Sequence, residues 1–156
     1  MAMKNLAVCA LTFLPAGWAQ LSYERIRDAA SEPGNWLTYS GSYSSQRFSK
    51  LSEINAKNAH LLKPVWVYQA RDTNKFEATP LAVDGVLYVS EPSNYVTAVD
   101  ARTGRPLWEF RHELPRDLRL CCGQINRGLA MLGHTLFFGT LDAHLIALDA
   151  RTGRMK

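Results

Sequence analysis

Short runs of alternating apolar and polar positions dominate the middle and end of the chain. Val86, Tyr88 and Ser90 fall on one face and Leu87 and Val89 on the other, the two-residue period of a β-strand. Asp84-Gly85 lies between Leu81-Ala-Val83 and Val86-Leu-Tyr-Val89. It predicts a two-residue hairpin, because such turns need positive φ. Val96–Val99 predicts the next strand. Asp100 can accept backbone N–H groups in the turn that follows, and Gly104 can take the left-handed conformation that reverses the chain. Pro106-Leu107-Trp108 then opens a further strand, where proline is tolerated. Upstream the pattern is mixed. Residues 20–35 are polar, with Glu24, Arg25, Arg27, Asp28 and Glu32, and predict a short helix or loose arm. Residues 35–48 are rich in Ser, Gly and aromatics and predict an ordered loop pinned by rings. Leu51 to Leu62 has helix-like apolar spacing that ends before Pro64, and Pro64–Ala70 reads as a strand.

The strand pattern repeats. Asp100-Ala-Arg-Thr-Gly-Arg105 recurs unbroken as Asp149-Ala-Arg-Thr-Gly-Arg154, and Ala98 recurs as Ala147, an offset of 49 residues. At the same offset Leu87-Tyr-Val-Ser90 lies over Leu136-Phe-Phe-Gly139. Strand-rich repeats of about 40–50 residues point to a β-propeller, in which four-stranded blades lean on their neighbours. Ala98 is small and leaves space for a large ring from an adjacent repeat. A Trp at the far end of the segment can supply one, burying about 150–250 Å². Trp66 precedes Trp108 by 42 residues and so reads as the end of an earlier blade. The second copy reaches Lys156 one residue before its own Trp is due, which makes the expected architecture an all-β propeller with only about two blades within the chain.

Composition narrows the class. Hydrophobic residues make up 47% and charged residues 21% of 156, an ordinary globular balance. The net charge of +4 is spread along the chain without a basic patch interleaved with aromatics, so nucleic acid is not an expected partner. Lys4 precedes an apolar run from Leu6 to Leu14, and Gly17-Trp18-Ala19 follows with small residues where a signal peptidase reads. Residues 1–19 therefore read as a secretory signal too short to span a bilayer, with a mature chain starting at Gln20. Cys9 falls inside that signal. No later stretch approaches membrane-spanning length, and the expected division is 1–19 signal, 20–60 arm and ordered loop, 61–156 incomplete propeller.

Export leaves Cys121 and Cys122 as the only cysteines, in an oxidising compartment. Neighbouring Cα atoms lie about 3.8 Å apart, whereas disulfides usually span about 4.4–6.8 Å. A bridge between neighbours is strained and closes almost no chain loop, so it would stabilise little. Two thiols or a bridge with a functional purpose are both open on these grounds. His60, His112, His134 and His144 lack metal-ligand spacing, and no metal role is expected for them.

Here a resemblance becomes specific. Residues 31–156 resemble the N-terminal part of pyrroloquinoline quinone (PQQ)-dependent alcohol dehydrogenases of the methanol/ethanol type. The match is carried by the docking segment Ala98–Trp108, by Asn35-Trp-Leu-Thr-Tyr39 with Gln46-Arg-Phe-Ser49, by Cys121-Cys-Gly-Gln-Ile-Asn-Arg127-Gly128, and by Phe76-Glu77-Ala-Thr-Pro-Leu81. The resemblance implies an eight-bladed propeller with tryptophan-docking motifs, a vicinal Cys121–Cys122 disulfide, and cofactor contacts from Glu77 and Arg127. Physically the types suit PQQ, a planar tricarboxylate. Arg127 offers a fixed fork of donors for a carboxylate or quinone oxygen. Glu77 can accept from a ring N–H or orient that Arg, and the disulfide ring would offer a flat, polarizable surface to one cofactor face.

The same resemblance implies oxidation of primary alcohols by hydride transfer to PQQ, with calcium or a lanthanide ion as Lewis acid. Its further implications are a periplasmic location and a c-type cytochrome as electron acceptor. The general base and the metal ligands have no matching motif here and would lie beyond Lys156, so no catalytic or metal residue is assigned. A non-enzymatic propeller scaffold of the same repeat class would have no use for Cys121-Cys122 with Arg127. A membrane-anchored sugar or polyol dehydrogenase would begin with several spans. An inactive gene fragment is the remaining alternative.

Overall fold

The computed structural model of the protein describes residues 20–72 and 75–156. The expected signal lies outside them. Strands β1 (Leu81–Val83), β2 (Val86–Glu91), β3 (Tyr95–Asp100) and β4 (Pro106–Arg111) form an antiparallel four-stranded sheet in that order. Strands β5 (Ala130–Leu132), β6 (Thr135–Gly139) and β7 (Leu145–Asp149) form a second sheet of three, and Met155 bridges back to Leu148 where a fourth strand would pair. These are the two partial blades of a propeller. Hairpin chemistry sets the register. Asp84 and Gly85 both have positive φ, 50° and 82°, the primed turn that matches strand twist. It pairs Val83 with Val86 and Leu81 with Tyr88.

β2 and β3 are buried over most of their length on both faces, whereas β4 alternates between exposed and half-buried positions. The inner strands are covered by neighbours on either side and β4 lies at the sheet edge. One core joins both sheets: Leu81, Tyr88, Val96 and Ala98 of the first pack in the same cluster as Met131, Leu136, Phe138 and Leu148 of the second. Leu21, Ile26, Ala29 and Leu37 of the arm complete it.

The arm contains one short helix, α1 (Tyr23–Arg27), opened by Ser22, whose side chain accepts from the Arg25 N–H. Its Arg25 reaches both Glu32 at 2.6 Å and Asp84 at 2.8 Å, fastening the arm to the β1–β2 turn. Both carboxylates push the Arg25 guanidinium above its ordinary range, Glu32 most. The loop at 35–48 is indeed ring-pinned, with Trp36 lying against Gly41, where an added Cβ would sit 3.0 Å from the indole.

Two upstream expectations are corrected. Leu51–Leu62 is not a helix. Asn55 and Asn58 bond to nearby backbone, Asn58 Oδ1 accepting from Asn55 N at 2.7 Å and Asn55 Oδ1 from Lys57 N at 3.0 Å. Such side chains offer the backbone an alternative to the helix ladder, and only a single 3₁₀ turn forms at Ala59–Leu61. Pro64–Ala70 is also in neither sheet, since among the described residues it has no ladder partner. It is held instead by side chains. Tyr68 Oη donates to the buried Glu91 at 2.7 Å, and Glu91 also accepts from Thr97 Oγ1 at 2.6 Å and from Arg71 N at 3.0 Å. Burial pushes the Tyr68 hydroxyl up to about 12.

The repeated turns dock the rings as their spacing predicts, but on a different residue. Trp66 Nε1 donates to Ala101 O at 3.1 Å, and Trp108 Nε1 to Ala150 O at 2.9 Å. The rings lie over Gly104 and Gly153: an added Cβ would sit 2.6 Å from Trp66 and 2.5 Å from Trp108. The seat is therefore the turn glycine and not Ala98, which is fully buried opposite Trp108 within its own sheet. Asp100 and Asp149 organise these turns as expected, each accepting from the backbone N–H two residues on at 3.0 Å.

Candidate functional site

The loop between β4 and β5 carries three of the four residues that sequence singled out. Three contacts hold it in place. Ser93 N donates to Gln124 O at 3.1 Å, Asn126 Nδ2 donates to Gly139 O at 2.8 Å, and Thr79 N donates to Arg127 O at 3.2 Å. The last contact lays the segment before β1 alongside Arg127, which is how Glu77 comes to it. That segment, 76–80, is not part of either sheet.

Arg127 Nε donates to Glu77 Oε2 at 3.2 Å. Lys75, which the sequence reading passed over, pairs with the other oxygen of Glu77. Lys75, and after it Arg127, holds the Glu77 carboxyl below the usual range. Glu77 is thus ionised at neutral pH and positions the guanidinium. Arg127 itself is 73% exposed, and among the described contacts only its Nε is engaged by a carboxylate. Among the described residues its terminal N–H groups show no hydrogen-bond acceptor.

Cys121 and Cys122 stand as exposed thiols with their sulfurs 2.8 Å apart. The adjacent Cys121 sulfur raises the Cys122 thiol above its ordinary range, while Arg127 and Lys75 oppose that shift. Arg127, both cysteines, Leu120, Gly123, Ile125 and Leu141 line one hollow of about 310 Å³. The structure therefore brings all four candidates together, Glu77 through its ion pair with Arg127. The hollow joins the Arg127 guanidinium to a polarizable sulfur pair and an apolar rim, a donor set suited to a flat anionic ligand.

If oxidation bridges the pair, exported protein should be about 2 Da lighter by mass spectrometry without reductant and give one bridged peptide. Recovery of two freely alkylated thiols from exported material would exclude the bridge.

The chain as a whole has relatives. The family described as glucose/ethanol/alcohol dehydrogenase, β-propeller domain, of the PQQ type, matches residues 36–156. The dehydrogenase subunit of an alcohol dehydrogenase (quinone) from Gluconacetobacter polyoxogenes is 44% identical over 135 residues, 85% of this chain and 18% of that protein. Among solved structures, the quinohemoprotein alcohol dehydrogenase ADHIIG from Pseudomonas putida HK5 superposes with a TM-score of 0.81 at 38% identity, covering 87% of this chain and 20% of that one. A europium-containing methanol dehydrogenase superposes with a TM-score of 0.79 at 31% identity, covering 85% and 24%. The chain thus spans about a fifth of the length of the relatives it matches. Among the described residues no helix is long and apolar enough to cross a membrane.

Proposed function

The chain belongs to the PQQ-dependent quinoprotein alcohol dehydrogenase family, and on that premise we propose that it is the N-terminal part of a periplasmic enzyme oxidising primary alcohols. The observation that carries this reading is the Glu77–Arg127 pair set beside Cys121 and Cys122. The donor chemistry fits the cofactor. An exposed guanidinium with free terminal N–H groups suits a carboxylate or quinone oxygen, and the neighbouring Lys75 adds to the positive field. Glu77 fixes the Arg127 fork, and the two cysteines, bridged on export, form the surface on which one cofactor face lies.

When bound, PQQ supplies the two-electron acceptor chemistry that converts an alcohol to an aldehyde. What this chain contributes is placement: Arg127 orients, Glu77 keeps Arg127 in position, and the apolar rim of Leu120, Ile125 and Leu141 limits water. The general base and the ligands for calcium or a lanthanide belong in this proposal to sequence outside residues 1–156. So does the surface that meets a c-type cytochrome. Export through residues 1–19 and the division into an arm, 20–60, and a propeller part, 61–156, are components of the same reading. The europium-containing relative supports a metal-assisted site in the assembled enzyme.

The test is reconstitution. Purified chain given PQQ and calcium should show no dye-linked alcohol oxidation, because one cofactor wall without base or metal ligands cannot turn over. Fused to the remaining blades of a quinoprotein relative, it should. Turnover by the chain alone would overturn the division of labour proposed here, and a fused protein that folds but binds no PQQ would overturn the functional reading.

A further inference from the structure

Away from the Cys121–Arg127 hollow, the fold assembles a second cluster of ligating side chains that sequence spacing concealed. His112 directly follows β4 of the first sheet, while Asp142 and His144 occupy the connection between β6 and β7 of the second. His112 Nε2 lies 2.9 Å from Asp142 Oδ2, and His144 Nδ1 lies 3.2 Å from the same oxygen. The two imidazoles are 5.5 Å apart between ring centroids. One ligand atom from each of the three residues falls within 4.8 Å of the others.

We propose that His112, Asp142 and His144 form a binding site for a divalent first-row transition ion, zinc foremost, which ties the first blade to the second.

The donor set comes first. Two imidazoles and a carboxylate are ligands that zinc accepts, leaving a fourth position for water. Separation is the second argument. Bonds of about 2.0–2.2 Å to a tetrahedral ion place adjacent ligand atoms about 3.3–3.6 Å apart, so the 2.9 and 3.2 Å separations to Asp142 need widen by only a few tenths of an ångström. The remaining imidazole–imidazole gap closes by movement of His144, whose side chain is 65% exposed and free to turn.

The third argument is an orphan. The Asp142 side chain is only 9% exposed, and its Oδ1 has no hydrogen-bond partner. The nearby Thr140 hydroxyl donates to His144 O at 3.2 Å. A buried carboxylate oxygen without a hydrogen-bond partner is costly, and a bound cation offsets that cost.

The backbone around the cluster is already fixed across the blade boundary. Asn94 O accepts from His112 N at 3.1 Å, and Asn94 Oδ1 accepts from Leu141 N at 3.1 Å. One buried asparagine therefore sets the distance between the His112 end and the Asp142 end, so metal binding demands little rearrangement.

The experiment uses the untagged chain carrying Cys9→Ser, Cys121→Ser and Cys122→Ser, so that thiols cannot hold metal. After chelator treatment it is titrated with zinc by calorimetry and with cobalt by visible absorption. One zinc per chain is expected, with the absorption of four-coordinate cobalt and no thiolate charge-transfer band. His112→Asn and His144→Asn should each weaken zinc binding at least about tenfold. His134→Asn, at a residue lining a separate hollow between the blades, should leave it unchanged. No zinc bound by the Cys-free chain would overturn the proposal. So would undiminished binding by a His112→Asn/His144→Asn double variant with an unaltered circular dichroism spectrum. If those variants fail to fold, six-coordinate cobalt in the Cys-free chain with all four histidines intact would overturn it equally.

Discussion

Replacing Gly104 by alanine should unseat the Trp66 ring and destabilise the chain by about 2–4 kcal/mol. Two costs combine. Gly104 has a φ of 72°, a left-handed conformation that charges an L-residue about 1–2 kcal/mol. The added Cβ would also stand 2.6 Å from the indole, a separation that no small adjustment relieves. The ring must leave, losing its contacts and the bond from Trp66 Nε1 to Ala101 O, worth about 1 kcal/mol. Gly85→Ala is the control. Gly85 has a φ of 82°, and an added Cβ there meets nothing within 4 Å, so only the conformational cost applies. Urea unfolding should therefore separate the two variants by about 1–2 kcal/mol. Tryptophan emission should move to longer wavelength in Gly104→Ala alone. Equal losses in both variants would show that the ring does not depend on its seat.

The second large effect concerns ligand binding. In a fusion of this chain with the remaining blades of a quinoprotein relative, Arg127→Ala should weaken PQQ binding by about one to two orders of magnitude. That is the range for losing hydrogen bonds to a charged group, about 1.5–3 kcal/mol. Arg127→Lys should recover only part of it, because an ammonium keeps the charge but not the planar fork. Glu77→Gln should fall between, leaving Arg127 in place without the carboxylate that orients it. Equilibrium dialysis with PQQ reads all three. Unchanged affinity in Arg127→Ala would remove this residue from the cofactor wall.

The parts of the fold that could be read from sequence are those set by local backbone chemistry. Asp84-Gly85 specifies a turn because both positions need positive φ, and Asp100 and Gly104 specify another for reasons repeated at Asp149 and Gly153. The spacing of Trp66 and Trp108 told which rings pair with which turns. It misplaced the seat, because a small residue in a strand and a glycine in a turn both look like room for a ring. Leu51–Leu62 misled for a different reason: apolar spacing carries no information about Asn55 and Asn58 capturing the backbone.

Of the candidate site, Glu77, Cys121, Cys122 and Arg127 were visible through family resemblance, and their physical suitability could then be argued. Lys75 was not, since a lysine two residues before a glutamate is unremarkable in any extended segment. His112 and Asp142 are 30 residues apart in sequence. Only the crossing from one sheet to the next, fixed by Asn94, brings them together, and no spacing rule anticipates that.

The seating of Trp66 on Gly104 and of Trp108 on Gly153 is one interface used twice. The first blade receives the Trp66 ring on one side and gives the Trp108 ring to the next, so the contact is heterologous: the two surfaces differ and neither can mate with itself. Heterologous steps close into a ring only when their rotation divides a full circle, and otherwise wind into an open helix. The depth at which an indole rests on a glycine is thus a setting of angle. Because the same motif is reused, a bias of a few degrees at each turn would accumulate around the circuit instead of averaging out. In a closed ring these glycines would therefore bear on the number of blades as well as on the stability of each one.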